Sequence, residues 1–218
     1  MRSWKTSSLA FLFVMGMAAC EVDDYASGDG RYSYMRADFG MLHTTADGRA
    51  DYVLTDDGDS IAFSKLSTVK WKAAVDTLWR ALVYHDVASK EMFSATPVGV
   101  VTPTKLSQME KISTDPLTIN SLWVGGGFLN IGFAVKAGQT DSIEVQQQVG
   151  LVLENIAVSV MGDKIVSLRM VHAQNGVPEY YTVRGYMSMP LTKDMQGAVI
   201  RLRANTYAGE KFFLNYGK

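Results

Sequence analysis

SYMRADFGMLHTTADGRADYVLTDDGDSIAFS, residues 33–64, is the stretch that decides the fold. It holds three runs of β-prone residues, and the pairs Asp47-Gly48 and Asp57-Gly58 separate them. An Asp-Gly pair between such runs is a strong hairpin signal, because the tight turn needs a positive φ that Gly adopts without steric cost. The stretch therefore predicts three consecutive antiparallel strands.

The chain after these strands predicts two more strands, with a short helical element before them. Residues 65–88 fit both a helical and a strand pattern, and we expect a helical turn near 69–76 followed by a strand at 77–87. A further strand is predicted at 92–103. Five strands with one short helical element are typical of an OB-like barrel. In the strand at 77–87, one face carries Trp79, Ala81 and Val83, and the other carries Arg80, Leu82 and Tyr84.

The second half of the chain alternates strand-like runs with turn signals, which is typical of a β-sandwich. The runs lie at 119–137, 143–148, 155–160, 164–173, 179–191, 198–207 and 210–216. A polar segment that is typical of an interdomain crossing precedes them. The predicted fold is therefore all-β, with an N-terminal OB-like barrel at 32–103, a linker at 104–118 and an antiparallel β-sandwich domain at 119–218.

The first residues predict a lipoprotein signal peptide at 1–19. Arg2 and Lys5 form a positive head, and the uncharged apolar run after them is too short to cross a bilayer as a permanent helix. That run stops, in MGMAACEVDD, at Cys20, the only cysteine of the chain, where a lipoprotein signal peptidase cuts and leaves a diacylated N-terminus. The alternative is an ordinary secretory signal followed by a stray cysteine. We predict lipid attachment at Cys20, because a protein that needed disulfides would carry an even number of cysteines.

Residues 20–31 predict an acidic, solvated tether, with Glu21, Asp23 and Asp24 directly after the cysteine. This segment is similar to the acidic tag that sends lipoproteins of some anaerobic Gram-negative bacteria to the outer face of the outer membrane. A merely polar linker is the alternative. The expected location is the cell envelope, lipid-anchored to the outer membrane and facing outward.

Composition limits the kind of partner. The chain of 218 residues is 47% hydrophobic and carries a net charge of −1. It has no cluster of Lys and Arg like those that nucleic-acid-binding proteins use to neutralise phosphates. We therefore expect no nucleic acid partner.

Three segments resemble the NigD-like lipoprotein family: SLWVGGGFLNIGF at 121–133, VHAQNGVPEYYTVRGYMSMPL at 171–191 and NTYAGEKFFLNYG at 205–217. LTDDGDSIAF and WRALVYHD extend the resemblance into the first half. The residues that match the family pattern are Trp123, Gly127, Phe128, Leu129, Asn130, Ile131, His172, Gln174, Asn175, Gly176, Tyr186, Ser188, Pro190 and Leu191.

The resemblance implies an N-terminal OB-like domain joined to a C-terminal β-sandwich, and a role in immunity against a bacteriocin. It carries no catalytic residue to transfer. His85 stands where relatives have an aromatic residue, and Ala173 replaces an acidic residue expected after the histidine.

Other candidate sites are less favoured than structural roles. Asp56, Asp57 and Asp59 lack the closing Glu of a 12-residue calcium loop, so a hairpin turn is favoured. GGGF at 125–128 lacks the Lys-Ser/Thr and the following helix of a phosphate-binding loop, which favours a bulge or a close strand approach. His43, His85 and His172 lack zinc-ligand spacing. The sequence therefore predicts no catalytic residue, no metal site and no cofactor.

For any single aromatic ring, filling of the core is the favoured interpretation, but adjacent pairs of rings also suggest a recognition surface. Adjacent pairs such as Tyr180-Tyr181 and Phe212-Phe213 place one ring on each face of a sheet, so one ring of each pair is expected to be exposed. We expect a non-enzymatic binding module that contacts the membrane through Cys20 and an extracellular protein or glycan through its surface. An envelope glycan hydrolase, an accessory glycan-binding protein and a fimbrial-type structural subunit are the alternatives.

Overall fold

Fourteen strands and one 3₁₀ turn make up the part of the chain described by a computed structural model, namely residues 30–71, 76–109, 111–140 and 145–216. Within these ranges no helix has the length and apolar character needed to span a bilayer. The predicted signal peptide, Cys20 and nearly all of the tether lie outside the described residues, as does the middle of the helical turn predicted near 69–76, at 72–75. The strands are β1 Met35–Thr44, β2 Arg49–Thr55, β3 Ser60–Thr68, β4 Thr77–Asp86, β5 Met92–Pro97, β6 Gly99–Val100, β7 Thr104–Lys105, β8 Thr118–Gly125, β9 Phe128–Ala137, β10 Gln148–Val158, β11 Lys164–Ala173, β12 Tyr181–Pro190, β13 Val199–Thr206 and β14 Gly209–Tyr216.

The N-terminal sheet has the strand order β3-β2-β1-β4-β5 and confirms the predicted meander. Gly48 and Gly58 make its first two hairpin turns at φ values of 75° and 92°. The sheet curls, so that Ser64 of β3 donates its backbone N–H to the carbonyl of Lys90, just before β5, at 3.0 Å. This contact brings the two edge strands together, as in an OB-like barrel.

The interior of this barrel is filled by one face of each strand. In β4 the inward face includes Ala81 and Val83, as the alternation in the sequence predicts. The opposite face is covered at its centre, where Arg80 and Leu82 are also buried, and is exposed at Leu78. The buried apolar residues of the barrel are Leu42, Ala50, Val53, Val69, Ala81, Val83 and Met92.

The C-terminal half is a sandwich of two sheets, ordered β14-β13-β11-β10-β7 and β6-β12-β9-β8. Leu129 and Ile131 from one sheet meet Leu168 and Leu202 from the other in the core. All-β architecture is thus confirmed. Most neighbouring strands are antiparallel, but β11 and β13 run parallel, because the chain crosses to the other sheet as β12 before it returns.

Short strands tie the crossing segment to both sheets of the sandwich. β6 pairs with β12 through Gly99 and Met187, and β7 pairs with β10 through Thr104 and Val152. The residue boundaries predicted for barrel, linker and sandwich stay a prediction.

Three strand predictions need correction. The strand predicted at 92–103 ends at Pro97 as β5, and Gly99–Val100 form the separate strand β6 in a sheet of the sandwich. One 11-residue strand, β10, replaces the shorter strands predicted at 143–148 and 155–160, although 141–144 lie outside the described residues. A bulge between Leu153 and Asn155 breaks the alternation of side chains, which made one strand resemble two. The run at 119–137 is in turn two strands, β8 and β9.

Candidate functional site

Four polar side chains meet where the N-terminal barrel contacts the sandwich; three of them are buried, and the Asp56 side chain is 12% exposed. Arg80 lies on the outer face of β4 and is 3% exposed, and Asp56 follows β2. Asn130 of β9 and Ser188 of β12 are 0% exposed and come from the opposing sheet. The alternation of each strand places these side chains on the outer face of its sheet, and the contact between barrel and sandwich buries them.

These four side chains satisfy one another. Asp56 accepts two hydrogen bonds from the Arg80 guanidinium, one of them at 2.6 Å. The guanidinium also donates to Asn130 Oδ1 at 2.9 Å and to Ser188 Oγ at 3.1 Å. Ser188 donates to Asn130 Oδ1 at 2.7 Å, and Asn130 Nδ2 donates to Asp56 at 3.3 Å. A buried charge pair is tolerated when its remaining hydrogen-bonding groups are satisfied in this way.

Aromatic rings surround this polar cluster. Phe39 of β1 contacts Trp123 edge to face at 4.9 Å and Tyr186 at 5.2 Å between ring centroids. The Arg80 guanidinium carbon lies 4.4 Å from the centroid of the Phe128 ring. Such edge-to-face and cation–π contacts stabilise a pair beyond the burial of its area. We call the four polar residues and these rings the interdomain joint.

In the glycine run at 125–127, Gly126 is the residue where another segment of the chain approaches closely. It sits in the β8–β9 turn at φ 59°, and a Cβ there would lie 2.2 Å from the Asp56 carboxylate. Its backbone N–H donates to the Asp56 carbonyl at 3.2 Å. The expected close approach is therefore present, and the glycine gives room for the carboxylate that holds Arg80.

The aspartates predicted to form a turn do so, but with different roles. Gly58 occupies the turn, and Asp57 pairs with Arg36 at 3.2 Å on the surface. Asp56 faces the other way, toward Arg80. They do not converge on a common point, and in the described ranges no three His, Cys, Asp or Glu residues are placed to hold a metal ion.

Each histidine sits in a separate place. His43 lies 2.7 Å from Asp51 and stacks on Tyr52. His85, whose identity departs from the family pattern, is buried 2.7 Å from Asp38.

His172 is buried against the segment that leads into β8. Its Nδ1 lies 3.1 Å from the Pro116 carbonyl and its Nε2 lies 3.2 Å from Gln147 Oε1. The motif after it is also structural, since Gln174 Nε2 donates to the carbonyl of Lys136 at 3.1 Å. The residues that match the family pattern at His172 and Gln174 therefore have a structural role, because they hold neighbouring segments of the sandwich together.

Among the described residues, three carboxylates, one phenol and one guanidinium have shifted pKa values. The Thr45 hydroxyl lowers the pKa of Asp47, the backbone N–H of Ser89 lowers that of Asp86, and the Thr192 hydroxyl lowers that of Asp194. Partial burial, with a smaller effect of the Glu179 charge, raises the pKa of Tyr207. Hydrogen bonding to Asp38 raises the pKa of Arg36. These causes are turn and surface contacts, and they do not converge on a common cleft.

The most exposed apolar row on a regular strand lies on β14. Phe212, Leu214 and Tyr216 are 57%, 53% and 67% exposed, and they share the outer face of the sheet. Phe213 points the other way and packs against the sandwich core. The prediction of one exposed ring therefore holds for Phe212-Phe213. We call the outer row of these three residues, together with the neighbouring Arg201, the β14 face.

Arg201 completes this face. Its guanidinium carbon lies 5.7 Å from the centroid of the Phe212 ring, and it donates to Ser167 Oγ at 3.2 Å. Exposed aromatic and arginine side chains of this kind are enriched at protein interfaces.

The other aromatic residues differ in their exposure and in their contacts. Tyr180 and Tyr181 are 80% and 51% exposed, so the prediction of one exposed ring is wrong for this pair. Tyr180 lies in the loop before β12, where strand alternation does not apply. Trp71 and Trp79 contact each other edge to face at 6.5 Å.

Comparison with known proteins places this fold in context. A family profile described as the NigD-like C-terminal beta sandwich domain matches residues 100–216. The structure is similar to that of a NigD-like immunity protein from Bacteroides caccae, with a TM-score of 0.60 and 20% identity over 83% of this chain and 91% of that chain. A protein of unknown function (DUF1344) from Bacteroides vulgatus matches with a TM-score of 0.61 and 17% identity over 84% and 91%.

A third similar structure is that of a putative toxin-related protein from Parabacteroides distasonis, with a TM-score of 0.60 and 15% identity over 83% and 92%. Comparison with curated protein sequences gives no significant match. At these identities the solved structures support the fold alone.

Proposed function

Because the chain belongs to the NigD-like family, we propose that it is a non-enzymatic binding module of the cell envelope with an immunity-type role. In this proposal Cys20 is fatty-acylated and anchors the protein to the outer membrane, with the folded part facing outward. Each buried CH₂ of an acyl chain contributes about 0.8 kcal/mol, so the several chains of a lipoprotein anchor hold it stably. The partner is an extracellular protein or glycan.

The observation that carries the proposal is the β14 face. Its three apolar side chains are more than half exposed on a regular strand, where water solvates them poorly. The strand is held by β13 beside it and by Phe213 in the core beneath it. A rigid apolar row of this kind is suited to binding and loses little conformational entropy when a partner covers it.

The buried charged residues favour binding over catalysis. Asp56 and Arg80 engage each other and the neighbouring amide and hydroxyl, and Asp38 is engaged by His85. A general base or nucleophile needs a free position next to its substrate. These groups hold the fold, which leaves the surface for recognition.

The immunity-type role is supported by similarity of fold. The NigD-like immunity protein from Bacteroides caccae covers most of this chain. We infer that this protein intercepts a toxic polypeptide outside the cell, with the lipid keeping it close to the membrane.

The anchor is tested by metabolic labelling with an alkyne analogue of palmitate, comparing the natural protein with Cys20→Ser. We expect label on the natural protein alone, and release of its peptides when intact cells are treated with protease. Recovery of the natural protein unlabelled in the medium contradicts the anchor. Mass analysis of the N-terminal peptide supplies the modified residue directly.

The binding role is tested by affinity capture from envelope extract with the mature chain. Phe212→Ser is expected to weaken capture of the main partner, and the matched control Tyr180→Ser, at another exposed ring, is expected to leave it unchanged. Hydrolysis of a glycan panel without any stably captured partner contradicts a non-enzymatic role.

A further inference from the structure

We propose that β14 is a docking edge, and that it accepts an extended acidic peptide segment of a partner protein by strand addition. This inference rests on the proposed binding function and names the chemistry of its partner. Strand addition uses the backbone of an exposed sheet edge for affinity and the alternate side chains for specificity.

The edge of β14 is open. It is the terminal strand of its sheet and pairs only with β13, over residues 209–216. Among the described residues, no backbone hydrogen bond runs from this strand to any other segment. Every second backbone N–H and C=O of a terminal strand points away from its neighbour, so β14 presents a template for another strand.

Both sides of this edge offer apolar contacts. On the outer side, Phe212 and Leu214 are exposed on the β14 face. On the inner side, a cleft of about 260 Å³ opens between β14 and β8, and Ile119, Phe213 and Lys211 contribute to its lining. A strand laid along β14 points alternate side chains to these two sides.

The far end of the cleft is closed by a hydrogen bond between the two edge strands. Asn215 Nδ2 donates to the Leu122 carbonyl at 3.2 Å, which ties the end of β14 to β8. The first part of β14 has no such contact among the described residues. An added strand therefore pairs with residues 209–214.

Charge selects the kind of peptide. Arg201 on the outer side donates only to the neutral Ser167 hydroxyl, and Lys211 on the inner side has no ion pair within the described ranges. By contrast, Arg169 and Arg203 of the same sheet both pair with Glu154. Carboxylates of a peptide would complement Arg201 and Lys211, one on each side of the strand.

Lys211 also disfavours aggregation through this edge. A lysine that points inward on a terminal strand discourages pairing with an unselected apolar strand, because the charge would be buried without a partner. An acidic side chain on the added strand removes that penalty. The same residue thus blocks general aggregation and selects for acidic partners.

The test uses the mature chain, residues 20–218 with Cys20→Ser, and three fluorescein-labelled peptides in fluorescence anisotropy titrations. The peptides share a Val-rich sequence and carry Asp-Asp, Ser-Ser or Lys-Lys at two adjacent central positions, so that one of the two side chains points to each side of the added strand. They are called the Val/Asp, Val/Ser and Val/Lys peptides. The Val/Asp peptide is expected to bind about tenfold more tightly than the Val/Ser peptide, and more weakly as salt is added. The Val/Lys peptide is expected not to bind.

Variants then assign the site. Lys211→Glu and Arg201→Glu are each expected to weaken binding of the Val/Asp peptide by about fivefold or more. Arg184→Glu, at an exposed arginine of β12 in the other sheet, is the matched control and is expected to have no effect. N-methylation of alternate amides of the peptide is expected to abolish binding, because strand addition needs those N–H groups. Circular dichroism checks that each variant is folded.

Three results overturn the inference: no saturable binding of the Val/Asp peptide, equal binding of all three peptides, or binding that survives both charge reversals. These results concern peptide chemistry alone. Failure of the wider binding proposal shows instead as glycan hydrolysis without a captured partner in the affinity experiment, so the two failures are distinguishable.

Discussion

Replacement of Arg80 by Met is expected to loosen the barrel from the sandwich without disturbing either core. The guanidinium is buried and holds Asp56, Asn130 and Ser188. Methionine fills much of the same space along its apolar stem but donates no hydrogen bond. The Asp56 carboxylate then stays in the interdomain joint without its cation.

The magnitude follows from the burial of the pair. Removal of one partner from a buried ion pair costs about 3–5 kcal/mol. The Asp56 side chain is 12% exposed, so some water still reaches it, and we expect the lower half of that range, about 3–4 kcal/mol. For a chain of this size the melting temperature should fall by about 6–16 °C.

Urea unfolding followed by tryptophan fluorescence measures this loss. Trp123 reports on the interdomain joint, and Trp71 and Trp79 report on the barrel. The protein with its natural sequence should unfold in one transition. Arg80→Met should separate the barrel transition from that of the sandwich.

Two controls isolate the ionic joint. Arg49→Met removes a surface pair with Asp47 in which the two side chains are 46% and 53% exposed, and it should lower the free energy of unfolding far less than Arg80→Met does. Adding Asp56→Asn to Arg80→Met removes the stranded charge and should recover about 1–2 kcal/mol. If Arg80→Met costs no more than Arg49→Met, the joint does not depend on the buried charge pair.

Three further outcomes are expected. Gly126→Ala should lower the free energy of unfolding by about 2–3 kcal/mol, because the new Cβ would meet the Asp56 carboxylate and the residue has a positive φ. The control Gly127→Ala also has a positive φ but open space around its Cβ, and should cost about 1 kcal/mol. Equal losses for the two variants in chemical denaturation would contradict this. The pKa of Asp86 is lowered by hydrogen bonds from backbone N–H groups, so its stabilisation is complete above the ordinary aspartate pKa and is lost as the pH falls through the lower folded value. The melting-temperature difference between natural protein and Asp86→Asn should therefore be constant near neutral pH and shrink below about pH 4, and a difference that persists at pH 2 would refute it. Absorbance titration at alkaline pH should show a phenol with a pKa above the ordinary value that disappears in Tyr207→Phe, since partial burial raises the pKa of Tyr207.

The barrel could be predicted well because its turns and strands are specified by short stretches of sequence. The Asp-Gly turns set the first two hairpins, and alternation correctly separated Ala81 from Arg80 in β4. The pattern did not reveal that the face of Arg80 is covered, since that depends on a sheet formed by residues much later in the chain. A charged residue inside an apolar strand was the available signal for the missed joint.

The interdomain joint and the parallel pairing of β11 with β13 could not be predicted for the same reason, because both depend on contacts between distant parts of the chain. Asn130 and Ser188 were recognised as parts of a family pattern, but their partner Arg80 lies in the other half of the chain. The parallel pairing of β11 with β13 likewise depends on where the intervening strand is placed. The β14 face was within reach of prediction, because Phe212-Phe213 occupies a strand and alternation must expose one ring.

β6 and β7 also bear on how the protein is made. These early segments pair with β12 and β10, which leave the ribosome much later, so their edges wait unpaired during synthesis. Contacts between such distant segments form slowly because a long loop must close first. Formation of the sandwich should therefore be the slow step of folding, and a truncated chain that begins at β8 should leave β10 and β12 as edge strands, each unpaired on one side.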